Sequence, residues 1–178
     1  MSKKYRVAVV GTGRVGALWE TNPPSGVSHA GAFFVQPDCE LVAGANRGRD
    51  RLEEFGRRFG VRGLYQDYDE MLRRERPDIV CVATHPGSHA AIVESAVRNG
   101  ARAIFCEKPI DLSAERARAC LAVVRQAGVP FMTGFNRRFD PHFAALKRRL
   151  DDGEIGALEL LTIISRDPAP RSGDRNGG

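Results

Sequence analysis

Glu107-Lys108-Pro109 closes a short apolar run, Ala103-Ile104-Phe105-Cys106. It stands roughly 90 residues downstream of a Gly-x-Gly-x-x-Gly turn made by Gly11, Gly13 and Gly16. A lysine at the end of a buried strand is costly to desolvate and easily shifted in pKa. Opposite a dinucleotide turn, such a lysine can handle a hydroxyl proton while the cofactor takes a hydride. Glu107 can pair with Lys108 or shape the cofactor pocket. Taken alone, a Glu-Lys pair at a strand end is most often plain surface.

Gly11-Thr12-Gly13-Arg14-Val15-Gly16 follows the apolar run Tyr5–Val10 and opens a helical stretch. Gly11 permits the tight turn. Gly13 lets the backbone approach a pyrophosphate at the helix N-terminus, and Gly16 allows close helix–strand packing. The strand before and the helix after distinguish this pattern from an ordinary turn. The end of the second strand, where an acid would bind the ribose of NAD, carries Asn46-Arg47, with Arg49 and Arg51 close behind. A neutral amide followed by arginines suits a 2′-phosphate, so NAD and NADP are both expected cofactors. The alternative is that these arginines are merely solvated.

Thr84, His85, Pro86 and His89 form a loop after the fourth strand, expected to line the nicotinamide end of the cleft; a simple helix-entry loop is the alternative. Pro86 and Gly87 separate the two histidines, and no third ligand is evident, so no metal is expected. Asn136 and Arg137 follow the sixth strand, where they can contact cofactor or substrate. Their alternative is the lead-in to a helix capped by Asp140 with Pro141 at its first position.

These residues need elements to position them. Strand signals at Tyr5–Val10, Glu40–Ala45, Tyr65, Ile79–Ala83, Ala103–Cys106 and Phe131–Thr133 alternate with helical stretches. The helices are expected over Arg14–Glu20, resuming at His29–Val35, then Asp50–Phe59, Asp67–Arg74, Ser88–Asn99 (Ser88 as N-cap), Ser113–Ala127 and Pro141–Leu150. The pattern predicts an α/β fold, a doubly wound parallel sheet covered on both faces. Ligands in such sheets bind outside the carboxyl ends of the strands. Gly11, Asn46, Thr84 and Lys108 all fall there, on one rim. Leu158–Ile164 reads as a further strand, the first of a second sheet.

At 178 residues, the chain can bury a real core. The excess of 27 Lys and Arg over 22 Asp and Glu is interspersed along helices, which points to solvated faces. No aromatic-interleaved basic stripe suggests nucleic acid, and no run suggests a membrane span. Four unpaired cysteines and no signal-peptide pattern lead us to expect a cytoplasmic protein.

Several motifs together resemble the Gfo/Idh/MocA oxidoreductases: Gly-Thr-Gly-Arg-Val-Gly, Asp78-Ile79-Val80 before a Thr-x-Pro-x-x-His loop, Cys-Glu-Lys-Pro, and Gly-Phe-Asn-Arg-Arg-Phe-Asp-Pro. The last of these, with Ile164–Pro170, resembles the inositol 2-dehydrogenase branch. The resemblance implies a Rossmann domain over 1–135 and the start of an α/β substrate domain over 136–165; the tail over 166–178, which has no large apolar residue, is expected to be disordered. It implies hydride transfer between a nicotinamide and a CH–OH of a cyclic polyol or sugar, with Lys108 as the catalytic lysine. It also implies a homo-oligomer and a later Asp-Met-x-x-His segment, in whose place stands Arg171–Gly178. The expectation is a C-terminally truncated dehydrogenase with impaired turnover. A non-catalytic nucleotide-binding module and an inactive fragment are the rival readings.

Overall fold

A computed structural model describes residues 4–21 and 23–164. The chain divides after Phe135 into two compact units. In the first, β1 (Tyr5–Val10), β2 (Cys39–Ala45), β3 (Gly63–Tyr65), β4 (Ile79–Val82), β5 (Ala103–Cys106) and β6 (Phe131–Thr133) form one sheet. Its order is β3-β2-β1-β4-β5-β6, and every pairing is parallel. The chain runs outward from β1 to β3, then crosses back to β4. The switch point therefore lies between β1 and β4, where open sheets of this kind bind ligands.

Helices α1 (His29–Phe34), α2 (Arg49–Phe59), α3 (Tyr68–Glu75), α4 (His89–Arg98) and α5 (Ala114–Gln126) cover both faces. On one face Val9 and Cys81 pack with Ala30, Phe55 and Phe59 of α1 and α2. On the other, Ala8, Val10, Val80, Val82 and Ile104 pack with Met71, Leu72, Ile92, Val93, Cys120 and Val124 of α3, α4 and α5. Strands buried on both sides explain the unbroken apolar runs. Between Val7 and Ala8 the β1–β2 register shifts by one residue.

The helix limits follow local chemistry. The Asp67 carboxylate accepts the N–H groups of Asp69 and Glu70, and the Ser113 hydroxyl accepts that of Arg116. Gly60, at φ 69°, ends α2. Ser88 does not cap α4: its hydroxyl bonds the Thr84 hydroxyl and the His85 carbonyl instead. A short 3₁₀ turn over Pro86–Ser88 leads into that helix. The expected helix after the glycine turn is a single wide turn, Arg14–Leu18. There the Leu18 and Trp19 N–H groups reach back five residues, to Gly13 and Arg14.

The second unit contains a 3₁₀ turn (Asn136–Phe139) and α6 (Pro141–Asp151), with Asp140 accepting the N–H groups of His142 and Phe143. Leu158–Ile164 is not a strand; it is exposed and without regular structure. The run has strand composition but no neighbouring strand among the described residues, and an isolated strand leaves its backbone groups unpaired. The expected tail beyond Arg166 lies outside the described residues.

Candidate dinucleotide and proton-transfer site

The strand ends are closed by a ladder that continues one residue past each strand. The Gly11 N–H donates to the Ala45 carbonyl, Ala83 to Val10, Glu107 to Val82 and Gly134 to Cys106, all within 3.0 Å. The loops carrying Gly11, Asn46, Thr84 and Glu107-Lys108 thus share one rim, as the sequence predicts.

The glycine turn is fixed by sterics at two positions. Gly11 adopts φ 95°, and a Cβ there would lie 2.5 Å from the Ala83 carbonyl oxygen. A Cβ on Gly16 would lie 1.9 Å from the Gly11 carbonyl oxygen. Gly13 differs. Its φ of −78° suits any residue, and a Cβ there would meet only Arg51 Nη1, at 3.8 Å. What Gly13 supplies is open space above the backbone, the close-approach surface that a pyrophosphate requires. Thr12 lies wholly buried in the turn, and its hydroxyl has no partner among the described residues. Val15 is exposed, and the Arg14 guanidinium stacks over the Trp19 ring at 5.5 Å. Orphaned hydroxyl, open backbone and helical turn together fit a dinucleotide phosphate.

At the β2 end, Asn46 Nδ2 donates to the Gly48 carbonyl at 2.9 Å. The Arg47 side chain is exposed, while its carbonyl accepts from Gln66 Nε2. Arg49 pairs with Glu53 at 2.8 Å.

In the loop after β4, Thr84, His85 and Pro86 lie on the rim. His89 has a different task from the one expected. It is buried, with Nδ1 2.8 Å from the Pro109 carbonyl oxygen and Nε2 2.9 Å from that of Thr84. Both ring nitrogens are engaged by backbone, so the side chain ties the loop after β4 to the segment after β5 and faces no ligand.

The Glu107 carboxylate is divided between two tasks. One oxygen accepts the Lys108 N–H at 3.1 Å, and the other lies 2.8 Å from His29 Nε2. The His29 ring also packs on Phe105, with centroids 4.7 Å apart. Gly134 leaves room for this arrangement: a Cβ there would approach Glu107 Oε1 to 2.7 Å. The Lys108–Pro109 bond is cis. Lys108 itself is exposed, so the desolvation expected of a strand-end lysine is absent: the residue stands two positions past β5, outside the helical layers. Asn136 and Arg137 belong to the second unit, in its 3₁₀ turn. The cysteines offer no thiolate. Burial pushes the Cys81 thiol up and that of Cys106 up to about 12.

Two participants escaped the sequence reading. His29 joins the site across 78 residues of separation, and only its position at a helix start hinted at it. Glu20 organises the segment before α1. Its Oε1 accepts the N–H groups of Thr21 and Ser25. Its Oε2 accepts the N–H and hydroxyl of Ser28, each at 2.9 Å. Burial opposes ionisation of this carboxyl, but the N–H groups of Ser28 and Ser25, the Ser28 hydroxyl and the Thr21 N–H outweigh it. They hold the group well below the usual carboxylate range. Ser28 in turn caps α1, which begins with His29. Glu20 and Ser28 therefore set where α1 begins and so place His29 against Glu107.

Comparison with known proteins agrees with this geometry. The Gfo/Idh/MocA family model, described as an oxidoreductase family with an NAD-binding Rossmann fold, matches residues 5–135. Inositol 2-dehydrogenase of Rhizobium meliloti (strain 1021) is 40% identical over 176 residues, covering 97% of this chain and 49% of that protein. Myo-inositol 2-dehydrogenase of Thermotoga maritima is 33% identical over 165 residues, covering 93% and 46%. The crystal structure of scyllo-inositol dehydrogenase from Lactobacillus casei, with bound NAD(H) and scyllo-inositol, superposes with a TM-score of 0.77 at 29% identity. It covers 86% of this chain and 43% of that one. The chain spans about half the length of the curated relatives it matches. On the matched domain, the glycine turn and the strand order, the chain belongs to the Gfo/Idh/MocA oxidoreductase family.

Proposed function

We propose that this chain supplies the dinucleotide half of an NAD(P)-dependent dehydrogenase acting on a CH–OH of a cyclic polyol of the inositol type. The backbone of Gly11–Gly16 would hold the pyrophosphate, with Asn46 and Arg47 beside the adenosine ribose and Thr84, His85 and Pro86 toward the nicotinamide. A bound nicotinamide supplies the hydride acceptor. Lys108 Nζ would take the hydroxyl proton, with its backbone fixed by Glu107 and Glu107 fixed by His29. The observation that carries this reading is the placement of Lys108 and the glycine turn on one rim, joined through β4 by the hydrogen bonds Ala83 to Val10 and Glu107 to Val82.

Titration with NADH and NADPH, followed by an assay of NAD⁺ reduction with myo-inositol, tests it. Saturable binding, with slow polyol-dependent reduction that disappears in Lys108→Ala, is the expected result. Failure to bind either dinucleotide refutes the reading, and equal turnover by wild type and Lys108→Ala refutes the lysine's role. A second reading, a non-catalytic nucleotide-binding module, draws on one observation: Lys108 is exposed and its Nζ has no hydrogen-bond partner among the described residues. That reading predicts binding without turnover, and measurable polyol oxidation would exclude it.

A further inference from the structure

The segment between the glycine turn and α1 is gathered around one side chain. Glu20 Oε1 accepts the N–H of Ser25 at 2.7 Å and that of Thr21 at 3.1 Å, and Oε2 accepts both the N–H and the hydroxyl of Ser28. The carboxylate also lies directly against the first turn of α1: a Cβ on Gly31 would fall 1.7 Å from Oε2. The main chain beside it is anchored too, since Arg58 Nη1 donates to the Leu18 and Glu20 carbonyls and ties them to α2. Helix α1 has six residues, too few to hold its own start. Its first residue therefore lies where the Glu20–Ser28 clasp puts it, and that residue is His29.

Two side chains among the described residues hold the main chain at Lys108 and Pro109. His89 Nδ1 lies 2.8 Å from the Pro109 carbonyl oxygen, and Glu107 Oε2 accepts the Lys108 N–H at 3.1 Å. The other Glu107 oxygen is 2.8 Å from His29 Nε2, which fixes the plane of the carboxylate. A displacement of His29 by about 1 Å takes that contact outside hydrogen-bond range. Lys108 is exposed, so packing does not aim it in place of these bonds. We infer that Glu20 is a positioning residue for the proton-transfer lysine, acting through Ser28, His29 and Glu107. The inference rests on the reading of Lys108 above and extends the reaction centre to a segment before α1 that carries no motif of its own. Placement of this kind matters steeply, at about 100-fold in rate per ångström of misalignment.

The experiment measures amide hydrogen exchange at Lys108 by NMR, beside turnover with NAD⁺ and myo-inositol. The proteins compared are wild type, Glu20→Gln, His29→Ala, the double variant and Asp78→Ala. Glu20→Gln is expected to speed Lys108 exchange about tenfold, because loosening Glu107 frees that N–H. It should lower kcat by a similar factor and leave the KM for NAD⁺ unchanged. Asp78→Ala, which loses stability at the other end of the sheet, should change neither. His29→Ala should match or exceed Glu20→Gln, and the double variant should equal His29→Ala, because both act along one path. Effects that multiply in the double variant overturn the inference, as does wild-type exchange at Lys108 in Glu20→Gln. Either result leaves the role of Lys108 itself standing. Turnover unchanged by Lys108→Ala refutes that role instead, and the inference falls with it. The exchange measurement needs no turnover, so a slow enzyme does not blunt it. Should Glu20→Gln not fold, Glu20→Asp, which keeps the charge and shortens its reach, carries the same test.

Discussion

Arginines without an ion pair among the described residues stand at both ends of the sheet, and they mean different things. At the amino end, Arg73, Arg76 and Arg98 surround a shallow depression of about 460 Å³ with Asn99 and Gly100. They sit at the C-termini of α3 and α4, where the last carbonyls carry partial negative charge. Backbone already offsets those cations, and an anion brought there would meet carbonyl oxygens. At the carboxyl end, Arg51 stands beside a turn that opens a helical segment at Gly13, whose first N–H groups have no acceptor within that segment. Guanidinium and backbone there present the same sign. A cation's significance is thus set by the polarity of the main chain around it, and counting charges along the sequence does not reveal it.

The rest of the amino end reinforces the contrast. The Arg6 guanidinium donates to the Glu75 carbonyl and its carboxylate, at 2.8 and 3.0 Å. Asp78 accepts the Arg6 N–H and an Arg102 guanidinium N–H. That end is a closed polar seam holding strands and helices together.

The sharpest test of the carboxyl end is Gly16→Ala. Its methyl would overlap the Gly11 carbonyl, so the turn must open. Loss of dinucleotide binding and about 3 kcal/mol of stability are expected, measured by titration and urea unfolding. Binding within twofold of wild type would break the assignment of the rim. Asp78→Ala should do the reverse. It is expected to cost about 1 kcal/mol in urea unfolding, because it leaves the part-buried Arg6 N–H without its acceptor, while dinucleotide affinity stays as in wild type.

Glu20→Gln comes next, at about 1–2 kcal/mol near neutral pH, since an amide cannot accept at both positions. The folded state lowers this carboxyl's pKa, so its contribution is complete above the unfolded value and fades as pH falls below it. Wild type should therefore lose more stability than Glu20→Gln as pH drops below about 4.5. Acid titration of the two melting temperatures checks this, and an identical pH dependence in both would overturn it. The smallest effect belongs to Arg98→Ala. It should cost under about 1 kcal/mol and leave dinucleotide affinity untouched, and a tenfold affinity loss would dissolve the difference between the two ends.

The sequence carried most of the fold because its determinants are local. Apolar runs such as Val7–Val10, capping residues such as Asp67 and Ser113, and glycine turns each act within a few positions. The rim was legible for the same reason, since every loop on it follows directly from a strand. Interactions spanning the chain were not. His29 and Glu107 meet across 78 residues of sequence through an α1 start that Glu20 and Ser28 define, and no pattern near either residue announces the other. His89 looked like a loop histidine, yet packing turned its ring inward onto two carbonyls. Leu158–Ile164 failed as a strand because strand formation depends on a partner that composition cannot supply.

The register shift in β1–β2 has a consequence for how this domain tolerates changes in length. Leu41 packs with the Phe55 side of the sheet, whereas both Val42 and Ala43 pack on the opposite side, so the alternation resets within β2. After the reset, Gly44 faces the Phe55 ring, where a Cβ would come within 2.4 Å. Strand parity is thus set by one surplus residue. Deleting Val42 would leave Leu41, Ala43 and Gly44 on alternating faces opposite Val7, Ala8 and Val9, with Leu41 still on the Phe55 side. Removing Leu41 or Gly44 would instead carry part of the strand to the opposite face, so the Val42–Ala43 step is where β2 can shorten without exchanging its two sides.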